Sequence, residues 1–303
     1  MDDPSRETAP AGDPTVQSAD MRSLYARVDA LAASGADLFV LGEPGVGKTR
    51  FVEAVAARAS RGGLFVKLDC VALPPAIVEA ELFGDDGGGM TPALRGGLVF
   101  LREVAELPLE LQARLARALA DHVSHGEPDA GADVRVIASS SRDVSAMVRE
   151  GAFDRGLYAQ LAVASVTIPP LRDREDDVLP LARAFLAEAA GQGPPPEMTP
   201  EVEARLLAHT WFGNVRELRA VMERARRAAH GAELEPEHLL FGDREPPEPM
   251  SSRRGLYPWP SPASGALPSS PGSGYSSTRL VDTSSVPTLP SATAADRDKP
   301  PRD

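Results

Sequence analysis

The chain has 303 residues, 42% of them hydrophobic, which is long enough for one large or two modest folded domains with a sizeable core. Its net charge of −12 weighs against nonspecific nucleic-acid binding and against acidic partners, because affinity for a phosphate backbone rests on clustered Lys and Arg. The single cysteine, Cys70, excludes an internal disulfide and a thiolate metal site, no run approaches the about 18 apolar residues of a membrane span, and no apolar signal core opens the chain, so a cytoplasmic protein is expected.

Residues 1–20 are polar, contain proline and show no hydrophobic period, so they are expected to be disordered. The run "DLFVL" (37–41) then opens a series of short apolar stretches rich in branched residues: "LFVKLD" (64–69), "LVFL" (98–101), "VRVIAS" (134–139) and "SVTI" (165–168). Such runs are the pattern of strands buried on both faces. Between them, "RFVEAVAARAS" (50–60), "PPAIVEAELF" (74–83) and "PLELQARLARALAD" (108–121) space their apolar residues three and four apart, as amphipathic helices do. The alternation predicts an α/β domain over 21–172, a parallel five-stranded sheet with helices on both faces. After Asp176 the strands cease, and "VLPLARAFLAEAA", "PEVEARLLAHT" and "NVRELRAVMERARRAA" predict a small all-helical lid domain over 173–242. Residues 243–303, typified by "PSPASGALPSSPGSGYSS", have little to build a core from and are expected to form a disordered Pro/Ser-rich tail.

Between the first strand and the first helix lies "GEPGVGKT", that is Gly42, Glu43, Pro44, Gly45, Val46, Gly47, Lys48 and Thr49. It fits the phosphate-binding pattern G-x-x-x-x-G-K-[ST] in the strand–loop–helix setting which that pattern requires. Glycines let the backbone curl until its N–H groups face phosphate oxygens, and the helix N-terminus adds the positive end of its dipole. Lys48 is expected to reach the β- and γ-phosphates of ATP, and the Thr49 hydroxyl to ligate Mg²⁺. Only three of the 32 basic residues are lysines, so a lysine at this position argues against a chance match.

Further stretches carry a family resemblance. "FVKLDCVALPPAIVEAELFG" (65–84) resembles the F-V-x-x-N-C-A-A-L-P…E-S-E-L-F-G stretch in the AAA+ central domain of sigma-54-dependent transcription activators, the bacterial enhancer-binding proteins. The likeness continues through "GGLVFLREVAELPLELQARLARAL" (96–119), "VRVIASSSRDV" (134–144), "IPPLRDREDDVLPLARAFL" (168–186) and "WFGNVRELRAVMERA" (211–225), in the family's order. The resemblance implies an AAA+ P-loop NTPase sandwich followed by a helical lid, working as a ring oligomer that hydrolyses ATP between subunits to remodel sigma-54 RNA polymerase. Arg216 in "GNVREL" matches the lid's sensor arginine and implies nucleotide-dependent closure, against the plainer reading of a surface ion pair.

The same comparison exposes departures. The family's third strand ends in Asp-Glu, the Asp holding Mg²⁺ through water and the Glu orienting the attacking water; here Arg102 and Glu103 stand there. A guanidinium about 6 Å from the ion, at an effective dielectric near 20, repels it by roughly 5 kcal/mol, so Mg²⁺ binding is expected to be weakened. Either Arg102 replaces part of the ion's role by pairing with the γ-phosphate, or it points to solvent or pairs with an acid such as Glu103. The family's sensor Asn is Ser141, a shorter group expected to fall short of the γ-phosphate. Its trans-acting arginines become Asp154 and Gln160, with Arg155 one residue and about 100° of helix out of place. In the sigma-contacting loop Met90 is the candidate apolar tip and Thr91 is retained, but Pro92 stiffens a shortened loop, and the favoured reading is a truncated surface loop without a partner. No helix-turn-helix pattern follows the lid, so direct DNA binding is not expected. Two readings stay open: an AAA+ ATPase regulating sigma-54 transcription without its own DNA-binding domain and impaired in hydrolysis, or a pseudo-ATPase serving as a nucleotide-dependent or inhibitory module for related AAA+ subunits.

Overall fold

Each apolar run becomes a strand: β1 Leu38–Leu41, β2 Phe65–Asp69, β3 Leu98–Arg102, β4 Arg135–Ser140 and β5 Ser165–Thr167. They pair in parallel in the order β2-β3-β4-β1-β5, as adjacent parallel strands joined by crossovers require. The computed structural model describes residues 15–59, 63–84, 90–124, 134–190, 193–230 and 232–242. The helices are α1 Ala19–Ala26, α2 Val28–Ala33, α3 Lys48–Arg58, α4 Pro75–Phe83, α5 Leu109–Ser124, α6 Val144–Arg149, α7 Arg155–Leu161, α8 Val178–Ala190, α9 Pro200–Ala208 and α10 Asn214–Ala229. Among the described residues no helix is long and apolar enough to cross a membrane.

The strand period of two sorts side chains into two cores. Phe39, Val99, Leu101, Val136 and Ala138 face α4, α5 and α7. Their neighbours Leu38, Val40, Leu98, Phe100 and Ile137 face α1, α2 and α3. The double burial expected for every strand fails at β2, because β2 is a sheet edge: Phe65 is exposed and Lys67 pairs with Glu53 outside the core. Arg135 opens β4 fully buried, where its guanidinium donates to the carbonyls of Leu31, Ala32 and Ala36 just past and within the end of α2. That supplies donors at a helix end, where intrahelical partners run out; the Leu31 carbonyl also accepts from the Ser34 hydroxyl at 2.9 Å.

Two expectations need correction. The disorder expected over 1–20 does not hold for residues 15–20, since α1 begins at Ala19 and Ser18 is buried before it. The cause is Asp177, a fully buried carboxylate just before α8, which accepts from the backbone of Gln17 (2.6 Å) and from the backbone and hydroxyl of Ser18 (2.7 and 2.8 Å). A buried charge is stable only when so satisfied. Residues 1–14 and the tail over 243–303 lie outside the described residues. Met90, expected as a projecting tip, is instead packed in the core with Leu82 and Leu94. The Thr91 N–H donates to the Leu82 carbonyl at 2.8 Å and turns the chain inward, with Pro92 opening a short 3₁₀ turn.

Helices α8, α9 and α10 enclose a third core around Trp211, whose indole N–H donates to the Leu206 carbonyl at 2.8 Å. This is the expected helical lid, closed by a single bridge between Met198 and Leu234.

Candidate functional site

The loop after β1 turns into α3 at Gly47, a left-handed N-cap with φ 108°, so that Lys48 is the first helical residue. Gly45 is glycine for two reasons. Its φ is +81°, and a Cβ there would stand 2.5 Å from the Gly213 carbonyl and 3.1 Å from the Arg216 Cβ. The lid therefore rests directly on the loop, and the Arg216 N–H donates to the Gly45 carbonyl at 3.3 Å.

Lys48 is 7% exposed, and its three ammonium protons are shared among four acceptors. These are the carbonyls of Gly42 (2.8 Å) and Glu43 (3.3 Å), the Ser141 hydroxyl (2.7 Å) and the Glu103 carboxylate (3.1 Å). Burial lowers the pKa of the ammonium, and Glu103 opposes that shift, while Arg102 and Arg216 nearby add to it. Glu103 follows β3 in a left-handed conformation, φ 58° and ψ 53°, uncommon for a residue with a side chain. Its two oxygens accept from the Ser141 backbone and hydroxyl, both at 2.7 Å, and its own N–H donates to the Ser139 hydroxyl at 3.3 Å. Burial alone would raise the Glu103 carboxyl; Lys48 and the Ser141 donors outweigh it and hold it below the usual carboxylate range. The shorter Ser141 thus still reaches Lys48, the lysine expected to meet phosphate.

Arg102 takes the plainer of the expected alternatives, a half-exposed ion pair with a neighbouring acid, but the acid is not Glu103. It pairs with Asp69, its direct neighbour in the parallel register of β2 and β3. Asp69 stands where the resembling stretch carries Asn, so both members of this cross-strand pair, one acid and one base, differ from that pattern. The pair is nearly neutral as a unit, which cancels most of the repulsion expected from an isolated guanidinium. What is missing for a divalent ion is a ligand. Thr49 offers a hydroxyl at the start of α3, but the carboxylate position is Arg102, Asp69 is engaged by Arg102, and Glu103 is engaged by Lys48 and Ser141. No group of three His, Cys, Asp or Glu suited to a metal occurs among the described residues. This donor set does not fit a tightly held Mg²⁺.

Of the two other altered positions, Asp154 has a structural duty and Gln160 shows none. Asp154 is the N-cap of α7, accepting from the Leu157 N–H at 2.7 Å, and its own N–H donates to Gln112 at 2.8 Å. Asp serves that cap well and Arg cannot. Gln160 lies on α7 with its side-chain oxygen buried and without a partner. Arg155 begins α7 and is exposed.

Three residues of this arrangement carried no sequence signal, Arg172, Arg174 and Asn214, and Glu43, expected in the nucleotide loop, has its side chain elsewhere. Glu43 turns away from the loop toward the lid, where the Arg172 guanidinium grips it with two bonds of 2.8 and 2.6 Å and the Asn214 amide donates at 3.1 Å. The Arg172 bonds hold the Glu43 carboxyl below the usual range, with burial opposing. Asn214 is fully buried at φ 55°, donates also to the Pro44 carbonyl and accepts from the Leu171 N–H. Arg174 donates to the Val46 carbonyl at 2.7 Å. The run "LRDRED" displayed the arginines, but no local pattern tells that two of them close on a loop some 130 residues upstream.

With this geometry in view, the chain matches the Sigma-54 interaction domain over residues 15–167 and the AAA+ ATPase lid domain over 172–252. It is 38% identical over 211 residues to the regulatory protein AtoC of Escherichia coli K12, covering 64% of this chain and 46% of AtoC. To the nitrogen fixation protein VnfA of Azotobacter vinelandii it is 35% identical over 264 residues, 78% of this chain and 50% of VnfA. Among solved structures, NtrX from Brucella abortus in complex with ADP superposes with a TM-score of 0.66 at 30% identity, covering 76% of this chain and 56% of NtrX. The ATP complex of NtrX gives 0.65 at 29%, over 75% and 57%. The chain spans about half the length of the curated relatives it matches.

Proposed function

The chain belongs to the Sigma-54 interaction domain family, with its AAA+ lid, and on that premise we propose that it binds ATP in the loop over 42–49 while hydrolysing it poorly. The observation that carries this reading is the exchange at the end of β3. Arg102 is tied to Asp69 where the family carries its metal carboxylate, and Glu103 is spent on Lys48 and Ser141. The intact loop and the nucleotide complexes of NtrX support the binding half. In this reading the protein is a transcription regulator that acts through nucleotide-dependent lid closure, with sigma-54 RNA polymerase or related AAA+ subunits as partners in a ring. Asp154 and Gln160 in place of trans-acting arginines favour a second role within the same assembly, that of a subunit which fills a ring position but leaves its neighbour's site incomplete. Loss of such an arginine is worth about 10³-fold or more in rate.

The test uses the full chain with labelled ATP, with Mg²⁺ and with EDTA, beside AtoC. Affinity is expected to change less than about threefold on chelation, and phosphate release to fall at least about 10³-fold below AtoC. Turnover equal to AtoC, or binding lost in EDTA, overturns the reading. A second measurement concerns Lys48. Glu103 competes with phosphate for its ammonium, so Glu103→Gln is expected to tighten ATP binding by about 3- to 10-fold in a fluorescent-nucleotide titration. Unchanged or weaker binding would show that the carboxylate is no competitor.

A further inference from the structure

We propose that Ser141 is a phosphoacceptor: the terminal phosphoryl group of a nucleoside triphosphate held by the loop over 42–49 is transferred to its hydroxyl. The inference rests on the nucleotide-binding reading above and adds a covalent activity to it.

A hydroxyl becomes a nucleophile when a base within hydrogen-bond reach takes its proton and a further group fixes that base. Ser141 Oγ donates to Glu103 Oε1 at 2.7 Å. The other Glu103 oxygen is anchored by the Ser141 N–H at 2.7 Å, and the left-handed Glu103 backbone is held by Ser139. The same Ser141 oxygen accepts from Lys48 Nζ at 2.7 Å. It therefore sits one hydrogen bond from the cation on which a P-loop carries the β- and γ-phosphates. Nucleophile, base and phosphate cation are gathered around one oxygen atom. An Asn at 141 has no acidic hydroxyl to lose; a serine does.

In the transfer, a bond forms between Ser141 Oγ and the γ-phosphorus as the bond from phosphorus to the β–γ bridging oxygen breaks. The bridging oxygen keeps the electron pair and leaves with the nucleoside diphosphate. The hydroxyl proton passes to Glu103 Oε1 and from there to solvent. No oxidant or further reactant is needed. A tethered hydroxyl also has a large entropic advantage over a free water, so the reaction proceeds in a site that orients water badly. The product carries about −1.5 to −2 charges beside Lys48, which pair with the ammonium and close the loop to a second triphosphate. The modification is self-limiting, at one phosphate per chain.

The full chain is incubated with γ-labelled ATP, with Mg²⁺ and separately with EDTA, then denatured, washed and analysed by intact mass and peptide mapping, while ATP affinity is measured on the same preparation. The expected result is an acid-stable mass gain of one phosphoryl group in either condition, mapped to Ser141, with no label retained from α-labelled ATP. Glu103→Gln is expected to lower the labelling rate by about 100-fold or more although it binds ATP more tightly, a divergence that a purely structural Glu103 would not produce. Measured ATP binding without label, label at another residue, or a hydroxylamine-labile phosphate on a carboxylate overturns the inference and leaves the nucleotide-binding reading standing. Absence of ATP binding overturns both.

Discussion

Exchanging Asp69 for Asn and Arg102 for Asp together is expected to make ATP binding respond to Mg²⁺, tightening it by about 10- to 100-fold on addition of metal, the range typical of outer-shell ligand changes. The unaltered chain is expected to respond by less than about threefold. The double exchange is required because the two side chains are direct neighbours in register at the ends of β2 and β3. Arg102→Asp alone sets two carboxylates side by side, each disfavouring the other's charge, and gives a smaller metal response. Asp69→Asn alone frees Arg102 and restores the full repulsion of roughly 5 kcal/mol toward a divalent ion about 6 Å away. The pair is half-exposed, so its loss costs the fold no more than about 1 kcal/mol and the double variant remains folded. Titration of each variant with ATP, with and without Mg²⁺, decides the matter; a double variant indifferent to metal would mean that the site lacks more than its carboxylate.

What the sequence makes legible here is what short stretches decide for themselves. Five apolar runs become five strands, and the loop over 42–49 lies between strand and helix as its glycines and Lys48 demand. Partners chosen across the fold were not legible. Arg102 had several acids within plausible reach, and only the sheet order, which sets β2 beside β3, selects Asp69 over Glu103. Phe65 reads as a core residue until β2 proves to be an edge strand, and Met90 reads as a loop tip until the Thr91 N–H folds it back onto α4. Residues 15–20 look featureless because the group that orders them, Asp177, lies about 160 residues away. Asp154 presented itself as a lost arginine, whereas its position before α7 makes it a helix cap. For Arg102, Phe65 and residues 15–20 the deciding neighbour is distant in sequence, and hydrophobic periodicity carries no information about it; Asp154 caps Leu157 only three residues on, a local signal that its comparison with an arginine obscured.

The contact between loop and lid yields the other large effect. Glu43→Ala removes the acceptor of both Arg172 bonds and of one Asn214 bond in a largely buried setting, and is expected to destabilise the protein by about 2–3 kcal/mol, the scale of lost charge-assisted hydrogen bonds. Asn214→Gly is the cleaner probe. Glycine accepts the φ of 55° without strain, so the change deletes the side-chain bonds to Glu43, Pro44 and the Leu171 N–H while sparing the backbone. Arg216, two residues on, then loses its fixed position over Gly45, and ATP affinity is expected to fall by about 10-fold, one charge-assisted contact's worth. Acid acts on the same contact. The folded Glu43 carboxyl titrates below its ordinary value, so the stability it contributes is present above that value and is lost as pH falls through the folded one. Hydrogen exchange in α8 and α10 should therefore rise in acid ahead of exchange in β1 and β4, and Glu43→Gln should exchange fast at neutral pH with no further acid step. Equal acid sensitivity of lid and sheet in the unaltered chain, or a Glu43→Gln variant that behaves like it, would remove Glu43 as the link between them.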